Sequence, residues 1–357
     1  MNPLVSVIVV NYNRGELLRQ CLVSLLKQTY SFLEILVVDN GSWDNSLAVV
    51  HSFPDERIRL FPLDRNYGFA GGSNVAIREA RGEFIALINN DAVANKEWME
   101  KLVKAIRASG EEIGMWASKL LFFETNIIDK AGHLIYLDGQ NRGRGTGERD
   151  AGQYQRLEET LFPDGCGAVY RKRMLEEVGE FDESFFAYGD DADLGIRGRW
   201  MGWKCLYVPD AVLYHRHSST SGRFSLQKIY WVERNRFWLA VKNFPLALLM
   251  MSPVFTFYRW VWNLLAALLG RGAAGNFRQQ TSLWALVQTL GRAYGDGFSH
   301  LGRVFQQRRR IRKTRRIGDL DFYRLLFRFR ISARVLAFQD LDCPQTLLAL
   351  KRGATLC

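Results

Sequence analysis

Three groups of polar residues in this chain have types and spacings that could do chemistry. The first comprises Asn11, Tyr12 and Asn13, then Asp39, then Arg65 and Asn66, then Asn89, Asn90 and Asp91, mostly at the ends of short apolar runs. A carboxylate at Asp39 suits a nucleobase imide N–H or a ribose hydroxyl. Asp91, beside two amides, suits a hard cation bridging a diphosphate, because Mg²⁺ and Mn²⁺ prefer oxygen ligands and usually keep some from substrate. The second group is Asp190, Asp191 and Asp193, set among Phe185, Phe186, Tyr188, Trp200 and Trp203. Adjacent carboxylates in an apolar setting repel, so one pKa rises, as a general base for a hydroxyl requires. The aromatic rings offer flat surfaces for a ring-shaped substrate, or else pack in the core. The third is the run from Tyr214 through His215, Arg216 and His217 to Gly222, where a lone His gains its weight from the other two groups.

Each group has a plainer explanation. Asp and Asn punctuate βα turns, and an Asp at a helix N-terminus is stabilised by the dipole, by roughly 0.3–1 kcal/mol. That account covers one residue at a time. It does not cover four polar strand ends in one half-sheet, nor three Asp beside five aromatic rings.

The elements that must position these groups follow from apolar patterning. Val5–Val10 reads as a buried strand, Glu16–Lys27 as an amphipathic helix and Ile35–Val38 as a second strand. A helix over Leu47–Phe53, a strand over Ile58–Phe61, a helix over Asn74–Ala80 and a strand over Phe84–Ile88 continue the series. Strand–helix alternation at this spacing predicts a parallel sheet whose ligands bind beyond the carboxyl ends. With strands about 4.8 Å apart, the first group would line one pocket some 15 Å across. Further on, a helix over Leu194–Met201 follows the Asp cluster, and a strand over Cys205–Val208 precedes the His loop. The Gly/Arg-rich stretch Gly139–Gly147 follows no clear strand and opens no helix, so it is no dinucleotide fingerprint.

The chain has 357 residues, of which 48% are apolar and 24% charged, which excludes disorder and leaves room for a catalytic domain plus an appendage. Five scattered cysteines form no CxxC pair, so a reducing compartment is expected. The start MNPLVSVIVVNYN lacks a basic n-region, and a cytoplasmic protein is expected. We place a domain boundary at 240/241, where the composition turns to Trp, Phe, Leu and Arg. Phe244–Leu269 is almost wholly apolar, yet Pro253 and Arg259 interrupt it and Trp260 and Trp262 are interfacial types. Helices lying in the headgroup region are predicted, with Arg259 reaching water and the basic run Arg308–Arg316 meeting anionic lipid. The alternative is a helical subdomain that packs on the catalytic domain or on a second subunit. Between Arg303 and Arg334, twelve Lys and Arg face two Asp. No nucleic-acid-binding motif accompanies them, so nucleic acid is set aside.

In order, VSVIVVNYN, VVDNGS, RNYGFAGGSN, LINND, FDESFFAYGDDADLGIRGRWMGW and a His-containing loop resemble family 2 glycosyltransferases over roughly residues 3–245, closest to the bacterial rhamnosyltransferase-like branch. The resemblance implies the α/β GT-A fold, a mixed Rossmann-like sheet with helices on both faces, here followed by a C-terminal amphipathic helical region. It implies a nucleotide-diphospho-sugar donor, dTDP-rhamnose before a UDP-hexose, with a divalent Mg²⁺ or Mn²⁺ and inversion at the anomeric carbon. The acceptor would be a lipid-linked or polysaccharide hydroxyl at the inner face of the cell membrane, and the C-terminal region could also make a homo-oligomer. Asp39 resembles the nucleoside-binding Asp, and Asn11 to Asn13 the loop on the base. Asp91 matches the last residue of the family's DxD motif, and His215 a loop His on the metal or diphosphate. Asp191 matches the catalytic base, and Gly165 to Ala168, with Cys166 and Gly167, the acceptor-side loop. The chain departs from the pattern at Asn89, where DxD begins with Asp, and at Asp190, where a Glu-Asp pair has Glu. Asp190 and Asp193 therefore stay beside Asp191 as candidates for the base. The rival classes are a sugar-nucleotide-binding module without catalysis and a nucleic-acid-binding protein using the basic tail.

Overall fold

A computed structural model describes residues 2–216, 225–278 and 282–339. Val5–Asn11 (β1), Leu33–Asp39 (β2), Ile58–Pro62 (β3) and Phe84–Asn89 (β4) pair in parallel in the order β4-β1-β2-β3. Gly15–Leu26 (α1), Ser46–His51 (α2) and Gly68–Glu79 (α3) connect them. β1, β2 and β4 are apolar almost throughout because both faces are covered. Leu18, Leu22 and Leu25 of α1 close one face together with Trp98 and Leu102 of Trp98–Arg107 (α4). Ala70 and Ile77 of α3 close the other.

The rest of the sheet is mixed. Ala92–Ala94 (β5), Ile113–Phe122 (β6), Ile128–Lys130 (β7), Glu158–Thr160, Ala168–Arg171 and Lys204–His215 extend it, while His133–Ile135 (β8) and Asn141–Gly143 (β9) form a separate hairpin. In chain order the remaining three are β10, β11 and β12. β11 lies antiparallel between β4 and β6, and β12 runs parallel to β6. β12 reaches His215, seven residues beyond the predicted end at Val208, through a register shift between Val208 and Val212. His215 is therefore a strand residue and not a loop residue. The Gly/Arg-rich stretch holds the β8–β9 hairpin. α3 starts at Gly68, six residues earlier than predicted, because its glycines are needed for approach rather than for a turn. A Cβ at Gly72 would lie 2.7 Å from Val10 Cγ1.

Lys172–Val178 (α5) and Asp190–Trp200 (α6) precede a run of helices, Leu226–Asn243 (α7), Leu246–Leu268 (α8), Gly272–Arg278 (α9), Leu283–Ser299 (α10), Leu301–Thr314 (α11), Asp319–Arg328 (α12) and Ala333–Phe338 (α13). The boundary placed at 240/241 falls inside α7. This helix is bound to the catalytic half, and the two share a core in which Trp200 stacks on Phe322 at 3.9 Å between ring centroids.

Two expectations about this region are corrected. Arg259 does not reach water. It is buried, with Nε 2.7 Å from Asp138 and Nη1 2.9 Å from Glu233, and it ties α8 to the hairpin and to α7. Nor is the run Arg308–Arg316 a free basic patch. Arg308 and Arg312 donate to the carbonyl of Phe244, Arg312 and Arg315 pair with Asp319, and Arg316 pairs with Glu177. Burial works to raise Glu233, but the guanidinium groups of Arg259 and Arg236 outweigh it and hold it at about 2. Arg259→Ala leaves two buried carboxylates to share Arg236 and should cost about 3 kcal/mol in urea unfolding. Because the folded-state pKa of Glu233 is depressed, its share of stability is present above about pH 5 and is lost as the pH falls toward 2. Urea midpoints measured against pH for both proteins check this.

Candidate active site

The polar ends of β1, β2 and β4 form one network. Asn11 and Asp39 are direct partners at the last register position, and Asn11 Nδ2 donates to Asp39 Oδ1 at 3.2 Å. Asn90 Nδ2 donates to Asn11 Oδ1 at 2.7 Å, and the Ser42 amide donates to Asp39 Oδ2 at 3.0 Å. The Asn13 amide reaches Ser42 Oγ at 2.7 Å, and Tyr12 beside it is half-buried. Asn40, unremarked in the sequence, donates to Asn66 Oδ1 and to the carbonyl of Gly68, and so fixes the Arg65–Gly68 turn. Arg65 is exposed and lies over the Tyr67 ring at 4.8 Å. A base or ribose could be held here by preset backbone and amide groups.

Asp91 and His215 come together because β5, which begins right after Asp91, pairs with the end of β12 in the register His215 to Ala92. Asp91 Oδ1 stands 3.3 Å from His215 Nε2, and the Asn89 amide is 3.5 Å from the same nitrogen. His215 Nδ1 is 2.7 Å from Asp129 of β7, a carboxylate that fixes the ring and leaves Nε2 turned toward Asp91. Burial opposes the imidazolium, but the Asp91 and Asp129 carboxylates outweigh it and raise His215 well above its usual range. Asp91 offers a carboxylate oxygen, and His215, once an incoming cation displaces its Nε2 proton, an oriented imidazole nitrogen, so the pair would suit Mg²⁺ or Mn²⁺ beside a diphosphate.

The base candidates separate cleanly. Asp191, in the first turn of α6, is partly exposed, and its Oδ2 accepts from the Gly165 amide at 3.2 Å. Burial first, and then the Asp164 carboxylate, raise its pKa. Asp190 is 3% exposed, and its Oδ2 has no hydrogen-bond partner among the described residues. Burial and the charge of Asp191 raise it far above the carboxylate range, as expected of a neutral acid. Asp193 is fully buried between Arg197 Nε and Lys242 Nζ, both at 2.8 Å, with Asn243 Nδ2 at 3.0 Å. Its oxygens anchor α6 to α7, which corrects its candidacy as the base.

The acceptor-side residues also divide. Tyr188 is half-buried in a strained loop, with φ 65° at Phe186 and 66° at Tyr188, and Phe186 stacks on Trp231 at 5.1 Å. Asn235 of α7 holds that loop by donating to the carbonyls of Phe185, Ala187 and Tyr188 at 2.7–2.9 Å. Trp200 and Trp203 are core residues and do not face a substrate. The Trp200 indole N–H bonds the Asn243 carbonyl at 2.9 Å, and Trp203 packs over Gly114. Burial pushes the Cys166 thiol up to about 12, so it is neither nucleophile nor thiolate ligand. Gly167 serves the backbone, with φ 105° and its N–H on the Leu87 carbonyl at 2.8 Å. His217 through Gly222 lie outside the described residues.

Residues Asp129, Lys130 and His133 were missed in the sequence. Lys130 Nζ is 2.6 Å and His133 Nε2 3.0 Å from Asp164 Oδ2. Burial opposes the Asp164 charge, yet Lys130 and His133 hold its pKa well below the usual range. His133, Asp164 and Asp191 bring ligand atoms within 4.8 Å of one another, but the Lys130 ammonium already supplies the cation there. The signal was three polar side chains within six residues, Ile128–His133, next to a buried strand.

The mixed sheet covered by helices on both faces is the GT-A fold. Residues 6–179 match the model "Glycosyl transferase family 2". The O-antigen biosynthesis protein RfbC of Myxococcus xanthus is 28% identical over 255 residues, which cover 68% of this chain and 20% of RfbC. The succinoglycan biosynthesis protein ExoO of Rhizobium meliloti is 34% identical over 235 residues, 62% of this chain and 63% of ExoO. The chain thus spans less than two thirds of the length of these relatives. A structure of S. aureus TarS with UDP shares the fold at TM-score 0.52 and 19% identity, covering 90% of each chain. The mannosyltransferase PcManGT from Pyrobaculum calidifontis, solved with GDP-Man and Mn²⁺, gives 0.50 at 18%, covering 84% of this chain and 88% of its own.

Proposed function

We propose that the protein is an inverting, metal-dependent glycosyltransferase. It moves a hexose, rhamnose before others, from a nucleotide-diphospho-sugar to a hydroxyl of a lipid-linked or polysaccharide acceptor. One observation carries the reading, the short loop from Asp164 to Gly167. Gly165 of this loop contacts Asp191, and Gly167 bonds β4 three residues before Asn90, which supports assigning the base candidate and the Asp91–His215 pair to one centre.

Asp39, Asn11 and the Asn66 turn orient the nucleoside. Asp91 and His215 are the side chains that would hold a divalent ion, which when bound neutralises charge on the departing diphosphate. Asp191 takes the proton of the attacking hydroxyl, and its raised pKa matches that work. Asp190, kept neutral, leaves the charge on Asp191. Asp164 stays ionised between Lys130 and His133 and holds the Cys166 amide at 2.9 Å, which sets the loop in place. Nucleotide-sugar donors named in the structural neighbours, and Mn²⁺ in one of them, support the class of donor and ion. The working place is the cytoplasmic face of the cell membrane, where such acceptors are exposed.

A thermal-shift panel of dTDP-rhamnose, UDP-glucose, UDP-GlcNAc and GDP-mannose, with Mn²⁺ and with EDTA, tests this. One donor should raise the melting temperature only with Mn²⁺. No shift with any nucleotide sugar would reject the donor class.

A further inference from the structure

The outward side of α8 carries a stripe that nothing in the described structure covers. Met250, Val254, Phe257, Val261, Leu264 and Leu268 repeat at alternating spacings of four and three, and all are exposed, from 37% to 73%. They form a single apolar line about 27 Å long. The inward side of the helix is taken up by Leu248, Thr256, Arg259 and Ala266. α10 begins with a matching exposed patch of Leu283, Trp284 and Val287. A globular surface does not usually leave this much contiguous apolar area in water without a partner for it.

We infer that this face docks on the interface of an anionic lipid membrane. The inference deepens, and rests on, the membrane placement proposed above, but not on the identity of the donor. Charge supplies the argument for lipid over a second copy of the chain. From Phe244 to Gly295 the sequence contains no Asp or Glu. Exposed Arg271 follows the end of α8, and Arg334 lies against the Trp262 ring of α8 at 5.9 Å. An isologous pairing would set this basic rim against itself, whereas lipid phosphates complement it. Exposed Tyr258, Trp260 and Trp284 are residue types that settle at headgroup depth. No helix among the described residues is long and apolar enough to cross a membrane. The helix therefore lies along the surface, with Arg259 gripping the protein on its other side. Since most of the Arg308–Arg316 run is engaged within the protein, attachment is apolar in character and salt weakens it little.

Vesicle flotation of the full chain tests the inference, using phosphatidylcholine with phosphatidylglycerol at low and at molar salt. The wild type should float at both. Val254→Glu with Leu264→Glu, at exposed sites, should lower the partition coefficient about 10²-fold. Melting temperature and nucleotide-sugar binding should not change. Met250→Gln with Leu264→Gln should show a smaller loss of the same kind if the charged variant folds poorly. A wild type that ignores vesicles, or that salt alone releases, overturns the inference. So does a wild-type dimer in light scattering that the Glu variant turns into a monomer, since a second copy would then cover the face. Donor binding in the same samples reports separately on the transferase reading.

Discussion

Asp191→Asn should cut turnover about 10²–10⁴-fold and leave donor affinity near the wild-type value. The two Asp191 oxygens accept from the Gly165 amide at 3.2 Å and the Ala192 amide at 2.7 Å; the Asn amide keeps the shape of the carboxylate and one of these two bonds. What it loses is the ability to accept a proton from the acceptor hydroxyl. The comparison within α6 makes the result specific. Asp190→Asn replaces a carboxyl that burial and Asp191 already keep neutral, so turnover should fall far less. Asp193→Asn removes the charge that balances Arg197 and Lys242, so it should lower the melting temperature first and activity only as a consequence. Steady-state kinetics and melting curves on the three variants separate the roles. If Asp191→Asn turns over like the wild type, the base lies elsewhere.

The second large effect is at the diphosphate side. Asp91→Ala should lower kcat/KM about 10²–10³-fold. Much of the loss should appear as weaker donor binding in Mn²⁺, and EDTA should impose a similar loss on the wild type. The reason lies in the donor set. Asn89 contributes only a neutral amide near His215 Nε2, which leaves Asp91 as the carboxylate beside that nitrogen. Donor titrations by calorimetry, with and without Mn²⁺, check this. Full activity in EDTA would contradict it and would make the Asn89 departure the key to a metal-independent site.

The sequence was most informative where local chemistry and tertiary role agree. β1, β2 and β4 were read within two residues of their ends, because a strand buried on both faces must be continuously apolar. The strand-end residues Asn11, Asp39 and Asn89 follow from those strands directly. What stayed hidden depended on distant packing. α3 contains Gly68, Gly71 and Gly72, a poor local helix, and only its docking on Val10 explains why it is helical. Trp200 reads as a sugar platform until Phe322, more than a hundred residues on, is seen stacked on it. Arg259 looked like a residue reaching for water because Asp138 and Glu233 are remote in sequence. The Asp129–His133 segment was passed over because its three polar residues point at partners from different parts of the chain.

The central claim is that Asp91 with His215 and Asp191 serve one displacement at an anomeric carbon. Slow hydrolysis of the best-bound donor, followed by proton NMR, tests it most directly and needs no known acceptor, because water takes the acceptor's place. With Mn²⁺ present, the sugar first released should carry the inverted anomeric configuration. Asp91→Ala and Asp191→Asn should each suppress its appearance, the second without loss of donor binding. Release with retained configuration, or inverted release that persists in Asp191→Asn, would contradict the account.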